Sequence, residues 1–350
     1  MHRRSLLSLA VWSAASLALD LAHPAGATSN YRVSDPVVHG NLAIYFVRAQ
    51  SADGPVPLTL QEAMAKGAVR VHETGNVSEL AIENIGDQEI FVQSGDIVKG
   101  GKQDRALVAS LVLPPRSGRV PLASFCVEQG RWSQRGREDA ATFSSADAAV
   151  PSREAKLAMK APLAAGPAGS VRAAAAEVGE RQQQLWRSVA RTQTKLAGGV
   201  GQPVAAPASS SSLQLALQNE KLKQTQAAYV QALQTAGERD ADTVGYVFAV
   251  NGKLNSADVY PSNGLFRKMW PKLLHASVTE AIGERGGAAD DALPTADAVL
   301  AFLAAAEAGK ATQKSLNETV RLETREGEGT LYFATQRASG GWVHRNYLAK

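Results

Sequence analysis

The chain has 350 residues, 45% of them hydrophobic, enough for one large core or two ordinary ones. Its formal net charge of +4 comes from 37 basic and 33 acidic residues that are interleaved along the chain, so it lacks the basic face of a nucleic-acid protein and no such partner is expected. A single cysteine, Cys126, excludes an internal disulfide and leaves the fold to its core alone.

The N-terminus predicts export. Met1-His-Arg-Arg4 is basic, Leu6–Leu19 is a short apolar run, and Ala25-Gly-Ala27 offers small residues for cleavage. That is the layout of a secretory signal peptide spanning 1–27 and cut after Ala27. The apolar run is shorter than the roughly 20 residues a membrane span takes, so no transmembrane segment is expected after cleavage. Arg3-Arg4 leaves the twin-arginine route open beside general secretion. The expected location of the mature chain is periplasmic or secreted.

After a lead-in over Tyr31–Gly40, Asn41–Ala49 reads as a strand. Leu58–Gly67 reads as a short helix with Thr59 as N-cap, Glu62 at the third position and Gly67 closing it, a capping-box pattern. Val69–Glu73, Glu79–Asn84 and Glu89–Gln93 are short strands parted by Gly-Asn and Gly-Asp turns. Ala106–Pro114 and Arg119–Cys126 add two more. Ser133–Pro167, rich in Ala, Ser, Arg and Pro, reads as irregular surface. Ala173–Leu196 and Leu213–Ala236 carry apolar residues at helical spacing, and Gly198–Ser212 between them is a low-complexity linker. The two helices are expected to pair antiparallel over a sheet.

Thr243–Val250 and Lys253–Tyr260 flank Asn251-Gly252, a hairpin signal. A helix over Ser262–Leu274 is expected to break or bend at Pro271, with a further turn at Ser277–Gly283. Thr295–Ala308 is helical, Val320–Thr324 and Thr330–Thr335 form a hairpin, and Trp342–Tyr347 is a last strand. The predicted fold is α+β. A β-rich portion over 31–135, in the form of an antiparallel sandwich or partly open barrel, is followed by an irregular segment over 136–172. A helical pair over 173–236, with its 198–212 linker, leads to an α+β portion over 237–350 that packs with the first as one body.

Two polar segments stand out, Ser94–Arg105 and Cys126–Trp132. Gly95, Gly100 and Gly101 give the first one backbone freedom, and Lys102, Gln103 and Arg105 place donors around it, suiting an anion. The glycine spacing is not that of a phosphate-binding P-loop. In the second, Glu128 is the candidate general base, Gln129 and Arg131 are candidate ligand contacts, and Trp132 can stack on a ring. The alternative for both is structural: Asp96, Asp104, Arg105, Glu128 and Arg131 pair with one another, and Trp132 closes the core. Cys126, ending an apolar strand, reads as a small buried hydrophobe before it reads as a nucleophile. No metal site is expected, because the histidines and the cysteine show no ligand spacing. No nucleophile-elbow pattern occurs. His344, in Trp342-Val-His-Arg-Asn-Tyr347, reads as structural, with a place in a site as the lesser alternative.

Gly95-Asp-Ile-Val-Lys-Gly-Gly-Lys-Gln-Asp-Arg105 followed by Cys126-Val-Glu-Gln-Gly-Arg-Trp132 resembles the domain family named for its association with ADP-ribosylglycohydrolases and rhodanese-type phosphatases. The resemblance extends through Leu265-Phe-Arg-Lys-Met-Trp270 and Leu273-Leu274. It implies that Gly95, Gly100, Lys102, Gln103, Arg105, Glu128, Gln129, Arg131 and Trp132 form a shared signature, and it links the family by genomic association to NAD and ADP-ribose metabolism. It assigns no reaction, cofactor or residue role, and the export signal sits poorly with a cytoplasmic nucleotide pool. The expectation is therefore an exported module that binds an anionic ligand, ADP-ribose-like or nucleotide-like. A non-catalytic envelope protein and an unassigned hydrolase are the alternatives.

Overall fold

The computed structural model describes residues 30–131, 142–160, 171–287 and 292–350. The first third forms β1 (Arg32–Val33), β2 (Val37–His39), β3 (Leu42–Arg48), β4 (Leu58–Thr59), α1 (Leu60–Ala65), β5 (Val69–Glu73), β6 (Glu79–Asn84), β7 (Ile90–Val92), β8 (Asp96–Gly100), β9 (Arg105–Leu107), β10 (Leu111–Leu113) and β11 (Gly118–Cys126). Next come β12 (Phe143–Ala149), α2 (Arg153–Lys160), α3 (Val171–Val200), α4 (Leu213–Leu217) and α5 (Glu220–Leu233). The last third adds β13 (Thr243–Val250), β14 (Lys253–Val259), α6 (Asn263–Gly283), α7 (Ala296–Glu307), β15 (Lys310–Ser315), β16 (Val320–Glu326), β17 (Thr330–Arg337) and β18 (Trp342–Ala349).

The fold is α+β, built on sheets whose pairings are antiparallel except for the short β4–β7 contact. The largest sheet runs β1-β3-β13-β14-β18-β17-β16-β15, with β2 sharing an edge of β3. A second sheet runs β12-β8-β9-β11-β6-β5 and a third, small one β10-β7-β4. The chain reading Leu-Ala-Ile-Tyr-Phe-Val explains the place of β3. It is apolar on both alternations and therefore stable only where both faces are covered. Leu42, Ile44 and Phe46 enter one core, and Ala43, Tyr45 and Val47 enter another on the opposite face, where α7 supplies Val299, Phe302 and Leu303.

Local chemistry sets the joints. The Thr59 side chain accepts from the Glu62 N–H while the Glu62 carboxylate accepts from the Thr59 N–H, so the capping box starts α1. Asn251 and Gly252 take φ of 51° and 76°, the left-handed pair that closes the β13–β14 hairpin. Ser262 caps α6.

Several expectations change. The run 106–114 is two strands in different sheets, because the chain turns at Val108–Ser110 and carries β10 over to β7. The segment 136–172 is not irregular where it is described: β12 pairs with β8 and α2 follows. The helix expected over 213–236 is broken, since Asn219 leaves helical geometry and its side chain accepts from the Leu222 N–H to start α5 anew. α6 runs unbroken through Pro271 to Gly283. It also comes between the expected helix pair: α3 and α5 touch each other, but α3 packs chiefly along α2 and α6, and α5 chiefly along α6. β15, polar but for Ala311 and exposed along its length, carries no period that would have marked it as a strand.

The reason α6 occupies the centre is its side chains. Phe266, Trp270, Leu274, Val278 and Ile282 are fully or almost fully buried, with the Trp270 ring 5.4 Å from that of Phe46 and 5.6 Å from that of Tyr246. The Trp270 Nε1–H donates to the Gln234 carbonyl at 2.8 Å, so its one polar group is satisfied. At the far end of α6 a Cβ on Gly199 of α3 would lie 2.0 Å from the Ile282 carbonyl oxygen. Gly199→Ala is expected to push α3 off α6 and cost about 1–3 kcal/mol, read as a lower midpoint in urea. A midpoint equal to wild type would show that the crossing does not depend on that close approach.

Candidate functional site

The two sequence motifs meet. β8 and β9 form a tight hairpin over Gly101–Asp104, and β9 pairs with the end of β11 so that Cys126 lies opposite Arg105. The turn after Cys126 is thereby laid beside the turn at Gly101, and the Val127 N–H donates to the Asp104 carbonyl at 3.1 Å. Gly101 is required here: its φ is +54°, and a Cβ would lie 2.3 Å from the Phe143 ring and 2.7 Å from a Glu73 oxygen.

What the turns enclose is a charged network in a buried setting. The Arg131 Nε–H donates to Glu128 Oε2 at 2.7 Å, its Nη2 lies 3.6 Å from Asp104 Oδ1, and its Nη1 donates to the Gly101 carbonyl at 3.3 Å. Arg105 donates to the Gln103 carbonyl at 3.2 Å and lies 3.7 Å from Glu73 Oε2. The Gln103 amide donates to the Glu128 carbonyl, and Asp104 accepts from the Gly100 N–H and the Ser212 hydroxyl. Asp104, Arg105 and Glu128 are fully buried, and Gln103 nearly so. Lys102 is half-buried, with its N–H donating to Glu73 Oε1. Gln129 is exposed and takes part through its carbonyl, which accepts from Ser211. Gly95 lies at the other end of β8, and Trp132 lies outside the described residues. Glu73, Gln182 and Ser212, partners from three other segments, were invisible in the motifs. Gln182 acts as a strand substitute: its amide donates to the Cys126 carbonyl and accepts from the Cys126 N–H.

Asp96, the remaining carboxylate of the first motif, is turned inward to Lys272 of α6 at 3.0 Å, away from Asp104 and Glu128. Among the described residues no group of three or more His, Cys, Asp or Glu is placed to hold a metal ion. Cys126 is fully buried, and that burial pushes its thiol up to about 11, with Arg105 pulling down and Glu73 and Glu128 pushing further up.

The open space lies elsewhere. A cavity of about 340 Å³ opens between the β9–β10 turn, the C-terminal end of α2, Arg181 of α3, and strands β15 to β18. Met159, Leu322 and Phe333 are among its apolar walls. Lys160, Arg181 and Lys314 are its basic side chains, Arg181 being paired with Glu177 at 3.2 Å, and no carboxylate lines it among the described residues. Its floor is a chain of hydrogen bonds. Lys160 Nζ donates to Asn346 Oδ1 at 2.5 Å, and Asn346 Nδ2 donates to Asp258 Oδ1 at 2.9 Å. His344 Nε2 lies 3.0 Å from the same Asp258 oxygen, and His344 Nδ1 lies 2.9 Å from Ser110 Oγ. The Ser94 N–H donates to Ser110 Oγ at 2.9 Å, and the Tyr260 ring stacks on His344 with centroids 4.9 Å apart.

Burial sets the charge states along this chain. It pulls His344 below its ordinary value, against the hydrogen bond and charge of Asp258. Burial alone would raise Asp258, yet the His344 hydrogen bond and charge, with Lys156 and Lys160, bring it below the usual carboxylate range. Burial also draws Lys160 down to about 7, with Asp258 opposing and Lys156 adding to the fall. Ser110, Asp258 and His344 sit on three separate stretches, so no motif spacing could bring them forward. The available signal was weak: polar residues inside otherwise apolar strands, as in Ala257-Asp258-Val259-Tyr260 and Val343-His344-Arg345-Asn346-Tyr347.

These features define an antiparallel α+β protein with a closed charged clamp at one place and a cationic, partly apolar cavity at another. The chain belongs to the ARG and Rhodanese-Phosphatase-superfamily-associated Protein domain family, ARPP-1, which matches residues 30–348. No curated protein and no solved structure matches the chain. No helix among the described residues is long and apolar enough to cross a membrane.

Two outcomes follow from the clamp. Arg131→Ala is expected to leave Glu128 and Asp104 short of a partner inside the protein and to destabilise it by about 3–5 kcal/mol in urea; a variant as stable as wild type would return these residues to the candidate ligand contacts. Native protein at pH 8 is expected to resist iodoacetamide, with Cys126 alkylated rapidly only after denaturation. Rapid native labelling would revive the thiol as a reactive group.

Proposed function

We propose that this is an exported protein that binds a small organic anion with an apolar part, and that the ligand occupies the cavity over Lys160, Ser110 and His344. The observation that carries the reading is the lining: three basic side chains, no carboxylate among the described lining residues, and apolar walls in a space of about 340 Å³, where a bound anion would favour the charged form of Lys160. A pocket of this volume suits a small molecule, and a few placed polar groups in an apolar lining are the usual form of such sites. Export is supported by the basic and apolar opening of the chain, residues 1–27.

The motif turns support a different role from the one their composition suggested. Arg105 is fully buried and Arg131 is held by Glu128 and Asp104, so the cations that were to meet a ligand meet carboxylates of the same chain. A network of this kind fixes the path of β8, β9 and β11, and β9 leads directly to the wall of the cavity at Val108–Ser110. The reading is of a clamp that holds the site, not of the site.

The test is fluorescence titration with 8-anilinonaphthalene-1-sulfonate, an anionic aromatic probe, with ADP-ribose, phosphate and short carboxylates as competitors. Saturable binding is expected. Lys160→Gln should weaken it at least about tenfold, the size of one lost charge-assisted hydrogen bond. Lys314→Ala, at an exposed position, should weaken it by no more than about fivefold. Charge variants that bind the probe as wild type does would sink the proposal, and displacement by ADP-ribose alone would narrow the ligand to that class.

A further inference from the structure

We propose that the cavity is catalytic, with Ser110 as nucleophile and His344 as its general base, hydrolysing a carboxylic ester that carries a negative charge. The inference rests on the cavity being the binding site and goes beyond it.

Direction along the hydrogen-bond chain supports these roles. Asn346 donates one amide hydrogen to the Ala257 carbonyl at 3.0 Å and the other to Asp258 Oδ1 at 2.9 Å, which fixes its amide and leaves its oxygen to accept from Lys160. Asp258 is an acceptor, so the hydrogen on the His344 ring belongs on Nε2, 3.0 Å away. That leaves the Nδ1 lone pair facing Ser110 Oγ at 2.9 Å. The Ser110 oxygen already accepts from the Ser94 N–H, so its own hydrogen is the one that points to Nδ1. Nucleophile, base and orienting carboxylate thus stand in hydrogen-bonded order, the arrangement that activates a serine, with the two ring nitrogens exchanged relative to the chymotrypsin pattern. The Thr335 hydroxyl donates to the Ser110 carbonyl at 3.0 Å and pins its backbone to β17. Ser110 and His344 both line the cavity, whereas Asp258 acts through His344 and is a positioning residue.

In the reaction, Ser110 Oγ bonds to the ester carbonyl carbon as its proton passes to His344 Nδ1. Collapse of the tetrahedral intermediate breaks the bond to the alcohol oxygen, which leaves with that proton. Water then gives a proton to Nδ1 and attacks the acyl-serine carbonyl. Ser110 departs with the proton, and the sum is ester plus water to carboxylic acid plus alcohol. The cations of the lining account for the charge on the preferred substrate.

The experiment treats the full-length protein with a fluorophosphonate probe and maps the adduct by tandem mass spectrometry, so that the first result depends on no variant. An adduct on Ser110 is expected. In parallel, 4-nitrophenyl acetate and the anionic 4-nitrophenyl hydrogen glutarate are assayed by release of nitrophenolate, with a larger kcat/KM expected for the anion. Ser110→Ala and His344→Gln should each lower kcat by at least about 100-fold. Asp258→Asn should lower kcat while leaving KM near wild type. If wild type binds the sulfonate probe yet carries no adduct on Ser110 and hydrolyses neither ester, the catalytic inference is overturned and the binding proposal stands. If the probe does not bind but Ser110 is modified and the esters are cleaved, catalysis stands and the amphipathic-anion reading falls.

Discussion

Pairing between β3 and β13 closes a loop of roughly 200 residues, and such a closure costs about 5 kcal/mol of chain entropy beyond a constant. No turn sequence directs it. It is repaid only when both faces of β3 are covered, by the aromatic side of α6 on one face and by α7 on the other. The polar floor of the cavity comes largely after that pairing in the order of the sheet: β14 carries Asp258, and β18 beside it carries His344 and Asn346. A protein organised this way is rich in long-range contacts, which favours slow folding and strong cooperativity over local stability.

The buried charges divide into two kinds. Around Arg105 and Arg131 they satisfy one another and immobilise two turns that would otherwise be loops. Buried pairs of this sort add little net stability over apolar packing but are costly to break, so they specify one geometry. Around Asp258 the chain of bonds ends on a hydroxyl that faces open space. The Asp96–Lys272 pair ties the two regions to the central helix, since its lysine sits on α6 and its aspartate starts β8.

Local signals were legible in the sequence. The capping box at Thr59–Glu62, the Asn251-Gly252 turn and the alternations of Val69–Glu73 and Glu79–Asn84 gave elements with their correct type and place. Less could be read where tertiary contact overrides pattern. α6 is buried nearly all round, with Lys272, Ser277 and Thr279 buried among its apolar residues, so its period does not reveal that α3 and α5 will pack against it; Pro271 suggested a break that burial prevents. β15 has no apolar alternation and exists because β16 offers it hydrogen bonds. A cluster of charged residues in sequence looks the same whether it faces a ligand or faces itself, and only burial separates the two. The cavity was the reverse case: its polar residues are isolated in sequence and gathered only by the sheet.

β15 is the edge of the largest sheet, and an open edge invites another strand to add to it. Its residues Lys310, Thr312, Gln313 and Lys314 are exposed, and lysines along an edge repel that addition because each incoming strand would have to desolvate them. Thr312, Gln313 and Lys314 are also the outer lip of the cavity. Under the proposed binding role, this one short polar strand would guard both the open edge and the mouth of the cavity, so that neutralising its lysines would alter ligand entry and leave the edge stickier at once.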